Sequence, residues 1–219
     1  TPDFFAISVR DGVLYGYIID IINRASELVI LAIGMTLVVS ASAGTDISVG
    51  AIMAVSAAVC CNLLTGGERA ATEYACPLIL GFLAALVIGA LIGCFNGVLV
   101  AKLKIQPMVA TLIMFTAGRG IAQLITDGQI TYVRVESYKV LGSFLPHVPV
   151  PTPFIVAMLM VIVTSLILKK TALGLYIQSV GINAKASRLV GIKSTMIVFL
   201  TYAFCGICSG LAGLIASSR

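Results

Sequence analysis

Six apolar runs, Leu28–Gly44, Ile47–Leu64, Pro77–Ala101, Met108–Thr126, Pro153–Leu168 and Thr195–Ser217, take up most of this chain. Each is close to the ~20 residues that a helix needs to cross a bilayer, and a backbone surrounded by lipid must satisfy its own hydrogen bonds, which restricts these runs to helices. The expected fold is therefore all-α: a polytopic transmembrane helix bundle of about six spans. Composition agrees, because 59% apolar and 11% charged residues with a mean hydropathy of +1.10 lie far outside the range of soluble domains.

Charge gives the bundle a direction. Lys169 to Thr195 carries Lys169, Lys170, Lys185, Arg188 and Lys193 without a single Asp or Glu, and short loops rich in Lys and Arg stay on the cytoplasmic side. Alternate threading of six spans puts Lys102 and Lys104 on that same side. The other side receives Asp3, Asp11, Asp20, Glu27, Glu68, Glu73, Asp127 and Glu136, every acid except Asp46. The net charge of +5 thus reads as topology; the cations form no stripe with interleaved aromatics, which excludes a nucleic-acid surface.

On this reading the chain is one transmembrane domain, 1–219. It divides into a moderately polar periplasmic or interfacial segment 1–27, spans over 28–168, a cytoplasmic loop 169–194 and a last span 195–219. The start at Thr1 rather than Met, and the stop at Arg219 directly after an apolar run, are expected of a segment of a longer polypeptide, incomplete at both ends.

Within the apolar runs a few residues are costly to place. Asp46 interrupts the tract Leu28–Leu64 in the sequence SAGTDISVG. It reads as a helix break whose freed backbone groups are met by the carboxylate, Thr45 and Ser48. Asp46 either caps the helix beginning near Ile47 or takes a direct part in a solute path. Arg119 near the middle of its run must face the bundle interior, a wet cavity or a partner such as Asp46. Gln123 falls one turn away on the same face, and Asn96 can hydrogen-bond between helices or into a pathway. Asp46, Ser48, Asn96, Arg119 and Gln123 are accordingly the candidates for a translocation path or a helix break.

Small residues recur every fourth position at Gly81, Ala85, Gly89, Gly93 and Gly97, and again at Gly206 and Gly210. Such stripes allow close backbone approach in lipid, where packing drives helices together. The six cysteines, Cys60, Cys61, Cys76, Cys94, Cys205 and Cys208, mostly lie in apolar runs and read as small hydrophobes; the C-x-x-C of Cys205 and Cys208 lacks the exposure or further ligands of a redox or metal site. Lone His147, in the proline-rich stretch before Pro153, reads as a solvated loop residue. No phosphate-binding loop is present, since Gly191-Ile192-Lys193-Ser194-Thr195 lacks the required order and glycine spacing. No hydrolase or metalloprotease motif occurs either, so the chain reads as a non-enzyme without metal or cofactor.

Three blocks carry a specific resemblance. GMTLVVSASAGTDISVGAIMAV (34–55), FNGVLVAKLKIQPMVATLIMFTAGRGIAQLITDGQ (95–129) and LGLYIQSVGINAKASRLVGIKSTMIVFLTYAFCGICSGLAGLI (173–215) resemble the permease subunits of bacterial ABC importers for ribose, galactose, xylose and related sugars. In appearance the chain is most similar to the permeases of galactofuranose importers. Ala43 and Thr45 depart from the usual glycine and isoleucine before Asp46, and Ala184 and Lys185 stand where acidic residues are frequent.

The resemblance implies a multi-pass protein of the bacterial inner membrane, moving a monosaccharide into the cytoplasm. Its implied partners are a second permease chain, two cytoplasmic ATP-binding subunits and a periplasmic sugar-binding protein. It further implies that Gly181–Lys193 is the coupling element, with Gly181, Asn183, Ala186, Arg188, Leu189 and Gly191 as its ATPase-coupling residues. Ile182, Ala186, Leu189 and Val190 recur there at near-helical spacing, as in a short amphipathic helix laid on a partner; the same pattern would suit a helix held on anionic lipid. The competing function is an ion-coupled secondary transporter with Asp46 and Arg119 as its ionisable pair.

Overall fold

A computed structural model describes residues 8–10, 13–144 and 148–219. Asp3, Asp11 and His147, named above, lie outside the described residues. The chain is a helix bundle: α1 Tyr17–Ser42, α2 Val49–Thr65, α3 Leu78–Gly97, α4 Pro107–Ile125, α5 Glu136–Lys139, α6 Thr152–Lys170, α7 Ala172–Leu189 and α8 Ser194–Ser217. Four very short strands accompany them among the described residues. β1 (Ser8–Arg10) and β2 (Val13–Tyr15) form an antiparallel pair before α1, while β3 (Ala70–Ala71) pairs in parallel with β4 (Tyr132–Val133).

Among the described residues five helices are long and apolar enough to cross a membrane: α1, α3 with its π-helical extension to Lys102, α4, α6 and α8. The sixth expected span, α2, has 17 residues, about 26 Å at 1.5 Å per residue. It is a central helix, burying Ala51, Ile52, Val55, Ser56, Ala58, Cys60, Cys61, Leu64 and Thr65, so its neighbours rather than lipid surround it.

Two boundaries differ from expectation. The first helix starts at Tyr17, eleven residues before Leu28, and takes in Asp20, Arg24 and Glu27. Glu27 is tolerated because Arg219 reaches it across the fold with an Nη2 to Oε1 distance of 2.7 Å, and the same guanidinium donates to the carbonyl of Asn23 at 3.1 Å. Segment 169–194 is likewise mostly helix, α7, where a loop with one short helix was expected.

α8 is the axis of the bundle. Its faces bury Tyr202, Cys205, Cys208, Ala212, Leu214 and Ile215 against α1, α2 and α3. The small-residue stripe on α3 explains the closest of these contacts: a Cβ on Gly206 would strike the carbonyl oxygen of Gly89, and one on Gly210 would lie 3.0 Å from that of Ala85. Gly34 of α1 meets Cys205 in the same manner, with 3.0 Å left for a Cβ. All six cysteines are free and four of them are buried, as small packing residues should be.

The two ends of the bundle are distinct. At one, Ser42, Lys104, Gln106, Ala184, Arg188 and Thr195 surround a common cavity of about 300 Å³, so both basic loops lie together. At the other, the pairing of β3 with β4 joins the 66–77 and 126–151 connections. There Tyr138 of α5 is buried with its hydroxyl 2.6 Å from Ser217 and 3.8 Å from the thiols of Cys60 and Cys61, which pins the connection to α2 and α8. Burial pushes its phenol well above the ordinary tyrosine range, with the two thiols adding to the shift.

Candidate functional site

The basic end carries two structures built from the candidate residues: a buried polar knot and an exposed apolar tip.

The knot forms where α1 stops. Ala43 takes a left-handed conformation, φ 53°, with its N–H bonded to the Val39 carbonyl, and the chain turns through Gly44 to Asp46 before α2 begins. Gly44 lies against the Pro107 ring, where a Cβ would stand 2.5 Å from ring carbons. Asp46 is 1% exposed. Its Oδ1 accepts from the Ser48 N–H at 2.8 Å and the Ser48 hydroxyl at 2.5 Å, as a short side chain does when it ties down the approach to a helix. Asn96 of α3, fully buried, donates its amide to the Ser48 hydroxyl at 2.8 Å. Three of the sequence candidates, Asp46, Ser48 and Asn96, thus form one hydrogen-bonded chain joining the α1–α2 break to α3. Oδ2 of Asp46 and Oδ1 of Asn96 are buried without a protein partner.

Thr111 belongs to the same knot and escaped sequence reasoning. Its hydroxyl accepts from the Ile47 N–H at 3.1 Å while donating to the Pro107 carbonyl at 2.9 Å. A helical threonine commonly bonds the carbonyl four residues back, so nothing in the sequence marks this one as bridging two segments.

Arg119 and Gln123 are elsewhere. α4 buries Ala110, Thr111, Met114 and Gly118, which leaves Arg119 exposed, with its guanidinium 4.4 Å from the centre of the Phe115 ring. The pairing of Arg119 with Asp46 is not formed: Asp46 sits beside the first turns of α4, whereas Arg119 lies eight residues beyond Thr111, about 12 Å along the axis. Gln123 lines a cavity of about 260 Å³ together with Ala54, Ala57, Ala58 and Cys61 of α2. Thr116, Arg119 and Gln123 share one exposed face of α4, at spacings that align side chains on a helix.

The tip is the second half of α7. Gly181 packs on the carbonyl of Ser40 in α1, with no room for a Cβ. Asn183 is then extended, φ −156° and ψ 96°, and breaks the helix. Its side chain accepts from the N–H groups of Lys185 and Ala186, both at 3.0 Å, so Asn183 is the N-cap of a new short helix. That helix ends at Gly191, φ 88°. The N–H of Gly191 bonds the Arg188 carbonyl and that of Ile192 bonds the Ser187 carbonyl, each at 3.0 Å, the paired bonds of a glycine-terminated helix end. Ile182, Leu189 and Val190 are 86%, 90% and 76% exposed, and Ala186 and Arg188 are exposed as well. Every apolar residue of the expected amphipathic pattern therefore projects outward from a backbone fixed at both ends. Among the described residues no three His, Cys, Asp or Glu side chains are grouped to hold a metal ion.

The family model described as branched-chain amino acid transport system / permease component matches residues 17–219. Among curated proteins, the chain is 45% identical to the galactofuranose transporter permease protein YtfT of Escherichia coli (strain K12), covering 99% of this chain and 61% of that one. It is 40% identical to the fructose import permease protein FruF of Bifidobacterium longum, over 99% and 60% of the two chains, and 34% identical to the ribose import permease protein RbsC of Escherichia coli (strain K12), over 100% and 64%. The chain thus spans less than two thirds of the length of these relatives. No solved structure matches it. With five membrane-length helices and a family match running from the start of α1 to the last residue, this chain belongs to the permease component family of branched-chain amino acid transport systems.

Proposed function

We propose that this chain forms part of the transmembrane permease of an ATP-binding-cassette importer that carries a monosaccharide into the cytoplasm across the bacterial inner membrane. Membership of the family supports a permease role, and relatives whose names specify galactofuranose, fructose and ribose import support the substrate class; galactofuranose is the first sugar to test. With no phosphate-binding loop of its own, the permease relies on a partner to hydrolyse ATP. The observation that carries this reading is the tip of α7. An apolar cluster of Ile182, Leu189 and Val190, left open to solvent at the end of the bundle with the most Lys and Arg, needs a protein surface to cover it. Two cytoplasmic ATP-binding subunits, one for each of two permease chains, supply that surface.

The exposed α4 face with Thr116, Arg119 and Gln123 lines the solute path, opposite the small side chains of Ala54, Ala57 and Cys61 on α2. A guanidinium at this depth is costly against lipid and belongs beside water or polar solute. Asp46, Ser48 and Asn96, being buried, hold the α1–α2 break in shape rather than touch the solute. A periplasmic binding protein delivers the sugar to the opposite end, where β3 and β4 join two connections.

The test is reconstitution of the full-length permease with its ATPase and binding protein in liposomes, with galactofuranose, fructose and ribose offered separately. ATP-dependent accumulation of one sugar, unchanged when proton and sodium gradients are collapsed, is the expected result. Uptake that follows an ion gradient without ATP would establish the ion-coupled reading instead.

A further inference from the structure

α3 and α8 touch most closely where glycine faces glycine, at Gly89, Gly93, Gly206 and Gly210. Two helices that cross in tight contact must separate beyond it, and toward the basic end the last small residue of the stripe, Gly97, already faces the larger Phe199. The result is an open wedge of about 620 Å³ between the end of α3 and the start of α8. Its inner wall is apolar, formed by Val98, Met196 and Phe199; its rim is cationic, formed by Lys102, Arg188 and Lys193. The first turn of α8, which has no side-chain cap, opens into the same space, and a helix N-terminus adds partial positive charge. Among the described residues none of the three rim cations forms a salt bridge; the two ion pairs are Lys139 with Glu136 and Arg219 with Glu27.

We infer that this wedge binds an anionic phospholipid, with the phosphate of the headgroup held by Lys102, Arg188 and Lys193 and one acyl chain laid along Val98, Met196 and Phe199. Charge and shape point to the same occupant. Three cations converge without a carboxylate, which calls for an anion; the apolar wall continues from them along two membrane-spanning helices, which calls for a hydrocarbon chain attached to that anion. An acidic protein surface would satisfy the rim and leave the slot empty. Val98 and Met196 are 38% and 50% exposed, so a chain has apolar surface to cover.

The full-length permease, purified in mild detergent, would be titrated with phosphatidylglycerol or phosphatidylcholine and the bound lipid read by native mass spectrometry. Phosphatidylglycerol should be retained in preference to phosphatidylcholine, and Lys102→Gln and Lys193→Gln should each weaken retention about fivefold, the effect of losing one cation near an anionic headgroup. Lys169→Gln with Lys170→Gln, basic positions outside the wedge, should leave it unchanged, and Lys102→Arg with Lys193→Arg should preserve it. Thermal unfolding in lipid-free detergent would establish that each variant is folded. Equal retention of the two lipids, or a preference that survives the double Lys102→Gln, Lys193→Gln change, would overturn the assignment. Displacement of phosphatidylglycerol by millimolar inorganic phosphate would overturn it too, by showing a site for a free anion.

Discussion

Gly93 of α3 lies so close to α8 that a Cβ at this position would stand 2.5 Å from the carbonyl oxygen of Tyr202 and 2.9 Å from the Cα of Gly206. Both neighbours are backbone atoms at the axis of the bundle, so neither can move aside without shifting a helix. Gly93→Leu should therefore reduce the yield of folded permease in mild detergent severalfold. Leu91→Ala, at a position 58% exposed, should leave it near the wild-type value. Size-exclusion profiles of the two variants check this, and equal monodisperse yields would contradict it.

The knot at the α1–α2 break allows a sharper test. Ser48→Ala removes the hydroxyl that accepts from Asn96 and donates to Asp46, leaving the buried Asn96 amide without a partner while Asp46 Oδ1 keeps only the backbone N–H of residue 48. The cost of such an orphaned group is about 1–3 kcal/mol, so the variant should unfold at a clearly lower temperature than wild type. The double variant Ser48→Ala, Asn96→Leu should recover part of that loss, because it removes one orphan. A melting temperature unchanged by Ser48→Ala would show that the hydrogen-bonded chain contributes nothing.

Gly191→Pro and Leu189→Asp address the α7 tip. Proline fixes φ near −65° and has no N–H, whereas Gly191 sits at φ 88° and donates to Arg188; the end of the tip helix would be lost. Leu189 is 90% exposed, so aspartate there costs nothing in the free permease and places a charge in any apolar contact that covers it. In reconstituted complexes both variants should insert normally and lose sugar transport by at least about tenfold, the scale expected for one unpaired buried charge. Simultaneous assay of uptake and ATPase turnover decides the matter: unchanged, sugar-stimulated turnover in both would remove the tip from the coupling pathway.

Sidedness follows from the grouping of Lys104, Arg188 and Thr195 at one end and from the preference of basic loops for the cytoplasm. On a background free of native cysteine, Lys185→Cys should react with a membrane-impermeant maleimide only after the cytoplasmic face is opened. Glu73→Cys and Glu136→Cys should react from outside. Labelling of position 185 in intact cells would invert the assignment.

Apolar runs and glycine spacing read well in the sequence because both are local: the helices of the six apolar runs, the small-residue faces of α3 and α8 and the outward face of Ile182, Leu189 and Val190 need only the residues of their own segment. Partners far along the chain were hidden. Glu27 makes residues 17–27 too polar for a span by composition, and its partner Arg219 lies at the far end of the chain; Thr111 bridges to Ile47 with a hydroxyl that no local pattern distinguishes. The pairing of Arg119 with Asp46 is not formed for a related reason: an ionisable residue in an apolar run calls for a polar neighbour, but the sequence does not say which, and Phe115 is only one turn away.

The contact of Gly181 with the Ser40 carbonyl gives the α7 tip a mechanical property. A side chain between two helices acts as a cushion, since it can change rotamer and absorb a displacement, but two backbones in direct contact have no such slack. Force applied at Leu189 reaches Ser40 without a compliant element across that junction, and Ser40 lies only six residues before Asp46. The helix break at Asn183 stands between Leu189 and that junction, so the hydrogen bonds of its side chain to Lys185 and Ala186 set how much of any push at the surface arrives at the α1–α2 break.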